Sequence, residues 1–170
     1  AAGLMFTGAT TSPVWGASPA EEIRNRLDAQ GVSPDKIDLL IAKYEGGIPW
    51  ESMTPGAVPV LQEQNREAGY EITTKRFVDG SLSTTKVQVA NSTLARGSIS
   101  GCSSRIGTGY AEYTGCLIQR DLVLFVMNFK ADYSLYSGSN NDTIRNAYNA
   151  SYYACLGFCG TASVSVNRRS

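Results

Sequence analysis

The sequence predicts an α+β fold: an N-terminal helical hairpin followed by an antiparallel β-sandwich or partly open barrel with two disulfides. Three observations lead there. Helix-start signals and helically spaced apolar residues are confined to the first third of the chain. From Tyr70 onward the apolar period becomes two, in runs rich in threonine and valine. All four cysteines, Cys102, Cys116, Cys155 and Cys159, fall in that later part. A chain of 170 residues, 42% hydrophobic and 18% charged, can bury a real core and lacks the composition of a disordered protein. Residues 1–57 read as a segment of two short helices and a strap, and 58–170 as the antiparallel β domain.

The helices come first. Ser18-Pro19-Ala20-Glu21 provides an N-cap serine, proline at the first helical position and glutamate at capping-box spacing. Ile23 and Leu27 form its apolar stripe and Gly31 stops it. Ser33-Pro34 repeats the start signal, and Ile37, Leu40, Ile41 and Tyr44 then share one helical face before Gly46-Gly47. Helices this short do not hold in water alone, so both stripes must dock on something larger. Ile48 to Ala57, with two prolines and Trp50, reads as the strap to the β domain.

The strands follow. Tyr70–Phe77 and Leu82–Val89 flank Asp79-Gly80, a two-residue hairpin signal that sets Phe77 opposite Leu82 and Ile72 opposite Val87. In that register the outer and inner apolar pairs fall on opposite faces, which calls for a bulge or strong twist. Asp121–Tyr136 reads as one long strand. Its odd positions are all apolar or aromatic from Val123 to Leu135, and its first half, Leu122–Met127, is apolar throughout. Further strands are expected at 110–118, 143–154 and 161–167, with a polar loop at 137–142.

Composition excludes several functions. The chain has no histidine, so Ser-His-Asp and Cys-His relays and histidine zinc sites are impossible. Lys plus Arg balances Asp plus Glu at 15 each without like-charged runs, which disfavours nucleic acid and anionic membranes as partners. The longest apolar run is far short of the roughly 20 residues of a membrane-spanning helix. Four cysteines in a chain beginning Ala1-Ala2-Gly3 read as two disulfides in a processed, secreted, extracellular protein. Four cysteines allow three connectivities. Local pairing, Cys102 with Cys116 and Cys155 with Cys159, is the expectation. A four-cysteine zinc site is the alternative, although the gap between Cys102 and Cys116 is wide for a zinc pair. No cofactor or metal is expected.

Several motifs resemble a group of secreted actinobacterial proteins to which no function is attached. They are Leu40-Ile41-Ala42-Lys43-Tyr44-Glu45-Gly46-Gly47-Ile48-Pro49-Trp50-Glu51-Ser52, then Phe77-Val78-Asp79-Gly80-Ser81, then Ser100-Gly101-Cys102-Ser103-Ser104 leading to Gly109-Tyr110 and Tyr113-Thr114-Gly115-Cys116. The resemblance implies a bacterial, exported protein and carries no activity. Those relatives often have aspartate where this chain has Glu51, and run on past the equivalent of Asn167.

Candidate sites are of two kinds. Tyr136, Tyr152, Tyr153 and Trp50 are candidates for an amphipathic aromatic surface that grips a polysaccharide or protein at the cell exterior. Trp15, Tyr133 and Tyr148 extend that set, with Tyr133 on the apolar face of its strand. Glu112 with Asp121 or Asp132 would be the acid and base of a histidine-free glycosidase, set against the ordinary reading of surface acids in solvated pairs. No catalytic set is assigned. Asn91-Ser92-Thr93, Asn141-Asp142-Thr143 and Asn149-Ala150-Ser151 match the N-glycosylation pattern, which stays bare in an ordinary bacterial exporter. The reading is a non-catalytic extracellular binding protein, with a self-assembling surface or fibre subunit and a carboxylate-dependent hydrolase as alternatives. An open sheet edge, placed at the final run Ala162, Val164 and Val166, is the second route to a partner, including a second copy of the chain.

Overall fold

The computed structural model describes residues 18–67, 69–89, 102–138, 142–156 and 159–166, with the side chains of Tyr153 and Ala154 outside that set. Two helices, α1 (Pro19–Ala29) and α2 (Pro34–Glu45), and a 3-10 turn at Glu51–Met53 precede seven strands. These are β1 (Leu61–Glu67), β2 (Tyr70–Arg76), β3 (Leu82–Gln88), β4 (Ser103–Gly107), β5 (Tyr110–Asp121), β6 (Phe125–Tyr136) and β7 (Thr143–Cys155). They form one antiparallel sheet in the order β1-β2-β3-β5-β6-β7, with β4 also paired to β5. The sheet is not closed. The fold is therefore α+β, with the open sheet of a partly open barrel or sandwich. Both disulfides pair locally, Cys102–Cys116 and Cys155–Cys159.

The helices start where their local chemistry says. Ser18 Oγ accepts from the Glu21 amide at 3.3 Å, whereas Ser33 leaves its side chain out of the cap and relies on Pro34. Ile23 and Leu27 of α1 and Ile37, Leu40 and Ile41 of α2 are buried, with Tyr44 half-buried beside them. They close on Val32, Trp50, Leu82 at the start of β3 and Val123 between β5 and β6. Helices and sheet thus share one core at one end of the sheet, which answers how such short helices persist. Arg26 also reaches Asp121 at 3.3 Å, joining α1 to the end of β5.

The β2–β3 hairpin corrects the two-residue turn. The Phe77 amide bonds Ser81 O at 2.9 Å, the Gly80 amide bonds Phe77 O at 3.0 Å, and Gly80 has φ +90°. This is a three-residue loop whose last residue is a left-handed glycine bulge. The register moves by one, so Arg76 faces Leu82, Ile72 faces Lys86 and Tyr70 faces Gln88. Tyr70 and Ile72 now share a face with Leu82, while Phe77 and Val87 lie on the other, so apolar residues remain on both faces of the hairpin.

A second correction concerns residues 121–136. They are not one strand, because β5 runs to Asp121 and Leu122-Val123-Leu124 turns the chain into β6. The Leu122 amide bonds Phe125 O at 3.0 Å, and the Leu124 amide bonds Leu122 O at 2.8 Å across Val123, which has φ +69°. Asp121 Oδ1 takes the Val123 amide at 2.8 Å. A β-branched residue at the centre of such a γ-turn is strained. It is kept there because Leu122 and Val123 are buried, Val123 within the helix-capped core. The apolar run seen in the sequence is a buried turn.

Two strands carry no sequence signal. In β1 all seven side chains are exposed, and β4 lies inside the glycine-rich disulfide loop. Conversely, the expected strand at 161–167 is not formed: residues 161–166 have no ladder partner among the described residues, and Asn167 lies outside them. Their alternation survives, with Ala162, Val164 and Val166 half-buried and the residues between exposed.

Candidate functional site

The motifs 40–52 and 77–81 meet in space. Asp79, buried in the β2–β3 loop, accepts from Lys43 Nζ at 2.8 Å and the Glu51 amide at 3.0 Å through Oδ2. Its Oδ1 takes the Ser81 amide at 2.9 Å and the Ser81 hydroxyl at 2.6 Å. Ser81 Oγ in turn accepts from the Ser52 amide at 3.0 Å, and Glu51 Oε2 accepts from the Val78 amide at 3.1 Å. Burial pushes the Asp79 pKa up, but Lys43, Ser81 and the two amides outweigh it and hold the carboxyl at about 2. A carboxylate with every lone pair occupied by its own chain is a clamp between α2, the strap and the sheet. It has nothing left to offer a substrate.

The three carboxylates considered for hydrolysis are likewise occupied. Glu112 meets Arg145 at 3.2 Å. Asp132 Oδ1 accepts from the Gly115 amide at 2.7 Å, at the bulge between Tyr113 and Cys116, and from the Tyr148 hydroxyl at 3.4 Å. Asp121 caps the β5–β6 turn and meets Arg26. Glu112 faces Ser134, so Asp132 is its diagonal neighbour on the same face. Asp121 sits at the other end of β5, roughly 30 Å along an extended strand. The structure brings Glu112 and Asp132 together and separates Glu112 from Asp121. Among the described residues no group of three or more Cys, Asp or Glu side chains could hold a metal ion.

The aromatic candidates do not form one surface. Trp50 is fully buried and donates its indole N–H to Leu40 O at 2.9 Å, so it belongs to the core and not to a binding surface. Tyr136 is 41% exposed at the far end of β6, where its amide bonds Asp142. Tyr152 faces Met127 near the opposite end and packs edge-on against Phe125 at 5.7 Å. Tyr153 is in β7 with its side chain outside the described residues, as is all of Trp15. Tyr133 is buried, stacks on Tyr113 at 4.7 Å and donates to Gln88 O at 3.4 Å. Burial, with the nearby charges of Tyr113 and Glu71, raises its pKa to about 12. Asn149, φ +55°, is exposed in a bulge of β7, while Asn91 and Asn141 lie outside the described residues.

The distal half of the sheet is built around the first disulfide. Cys116, Ala131 and Tyr133 are buried there beneath Val87, Cys102, Tyr113, Ile118 and Phe129. β3 and β4 share one edge of β5, taking 118–121 and 110–114 respectively. Between them Gln88 Oε1 fills the gap by accepting from the Leu117 amide at 3.2 Å. On this face a half-open apolar groove of about 210 Å³ runs between Val87, Ile118, Tyr133, Leu135 and Ile144. Beyond it Ile106, at 65% exposure, lies in one cross-strand row with Ala111 and Leu135.

The open edges differ. β6 and β7 shift register at three places, Val126/Met127, Asn128/Lys130 and Asp132/Tyr133. β1 and β2 pair without interruption from Leu61–Arg76 to Glu67–Tyr70. Among the described residues nothing pairs with the outer edge of β1, which presents its backbone donors and acceptors in regular order. The sequence conceals this edge, because a strand exposed on both faces has no apolar alternation.

Comparison with known proteins gives no match to a family model, a curated protein or a solved structure. No helix among the described residues is long and apolar enough to cross a membrane.

Proposed function

We propose that the protein is a secreted, extracellular, non-catalytic binding protein that takes up a protein partner by strand addition to an open edge of its sheet. The observation that carries this reading is the regular edge of β1, unpaired among the described residues, on a sheet that does not close. The two disulfides support the extracellular setting, since such bridges persist in oxidising compartments. The dispersal of Tyr136 and Tyr152, and the burial of Trp50, favour the edge over an aromatic platform for a polysaccharide. The bonds already made by Glu112, Asp121 and Asp132 count against the hydrolase reading.

Adjacent residues of β1 send their amides to opposite sides, one to β2 and the next outward. Glu63→Pro and Gln64→Pro therefore test the edge as a pair. One variant should unfold the hairpin, while the other stays folded and loses partner capture from the culture supernatant. A folded proline variant that captures as before, together with loss of glycan cleavage on Glu112→Gln, would overturn the proposal in favour of the hydrolase.

A further inference from the structure

We infer that the partner taken up by β1 is a second copy of the chain, paired antiparallel through Leu61–Glu67 about a two-fold axis at Gln64. This rests on the open-edge reading above and adds the identity and register of the partner.

Closed two-fold pairing of identical strands constrains the register. In an antiparallel pair, facing residues must both send their amides toward the partner or both away from it. A strand facing its own copy meets this condition only when a residue lies on the axis. Three axes keep most of the seven-residue overlap: Glu63, Gln64 and Asn65. An axis at Glu63 sets two Glu63 carboxylates face to face. An axis at Asn65 sets Glu63 opposite Glu67 twice. Directly opposed like charges destabilise a ladder. An axis at Gln64 sets Gln64 opposite Gln64, Glu63 opposite Asn65, Gln62 opposite Arg66 and Leu61 opposite Glu67. No like charges are opposed, and the two central amides can bond one another.

The rest of the molecule fits a closed pair. All seven β1 side chains are exposed, so no core residue moves when a strand is added. Val58 and Val60, just before β1, are exposed apolar neighbours of the same edge. Pairing through β1 leaves each copy's β7 as the outer edge, and its three register shifts and left-handed Asn149 make it a poor template for continued addition. The assembly stops at an isologous dimer with one continuous sheet and does not grow into a fibre.

The test uses the full chain with its disulfides intact. Sedimentation equilibrium should show a monomer–dimer equilibrium below about 1 mM. Gln64→Cys should form an intermolecular disulfide under mild oxidation. Gln62→Cys should not, because its two copies would lie four residues, roughly 13 Å, apart along the pair. Gln64→Glu and Gln64→Lys should each weaken association about fivefold by placing like charges on the axis, and an equimolar mixture should restore it. These sites are exposed, and circular dichroism confirms that each variant folds. A wild-type monomer at that concentration, equal oxidation of the two cysteine variants, or no recovery in the mixture would each overturn self-pairing. Partner capture that persists in a strictly monomeric protein removes only this inference, whereas capture unaffected by either proline variant removes the open-edge reading as well.

Discussion

The two ends of the sheet are held by different means. At the helix-capped end Leu40 and Trp50 are fully buried against Leu82 and Val123, and no covalent bond joins the helices to the sheet. At the distal end Ile106, Leu135 and Ile144 stay exposed while Cys102–Cys116 fastens β4 to β5. A sheet of this size has one thick core and one thin one. Cys155–Cys159 lies at the capped end, beside Leu156, but closes a loop of sequence separation only 4, whereas Cys102–Cys116 closes one of 14. The bridge that limits the unfolded chain more falls where apolar coverage runs out.

If that contrast is right, the largest effect belongs to the capped end. Trp50→Ala should lower unfolding free energy by about 3–5 kcal/mol, and Leu40→Ala by about 2–5 kcal/mol, in urea titration. A loss below about 0.5 kcal/mol for Leu40→Ala would mean that the stripe is not part of the core. Replacing Cys102 and Cys116 together with serine should cost about 3 kcal/mol. Hydrogen exchange should then quicken in β4 and the adjoining half of β5 while the helices stay protected. Equal loss of protection at both ends would show that the two regions are one cooperative unit.

The clamp between the helices and the sheet should fail with acid. Asp79 has a folded pKa of about 2 against an ordinary 3.8, so its contribution is complete above about pH 4 and disappears as pH falls through 2. The difference is on the order of 2 kcal/mol, and Asp79→Asn should flatten that part of the stability–pH curve. The smallest effect belongs to the distal surface. Ile106→Thr should change stability by less than about 0.5 kcal/mol, because the side chain is already mostly in water.

What could be read from the sequence divides along the same line as local and distant causes. Ser18-Pro19 and Ser33-Pro34 locate both helices because capping is settled within a few residues. The cysteines pair locally for the same reason. Asp79-Gly80 marks a turn but not its length. The loop has three residues, and the Asp79 carboxylate in it is held by Lys43 and Glu51, which lie in another part of the chain. Leu122-Val123-Leu124 was illegible as a turn because turns are normally polar, and this one is apolar for the helices that cover it. At the candidate site, Tyr136 and Tyr152 look like neighbours in composition, yet the length of β6 and β7 separates them. β1 escapes sequence reading altogether, since all seven of its side chains are exposed and it shows no apolar alternation.

The shared core also orders events during synthesis. Ile23, Leu27, Leu40 and Trp50 leave the ribosome first, but their partners Leu82 and Val123 follow many residues later, with Leu156 last against the same cluster. The helices are therefore made well before their apolar stripes are covered. The helices should remain sticky, exchange-labile segments until the β5–β6 turn arrives, and a holding factor during that interval would find its binding stripe at Ile37, Leu40 and Ile41.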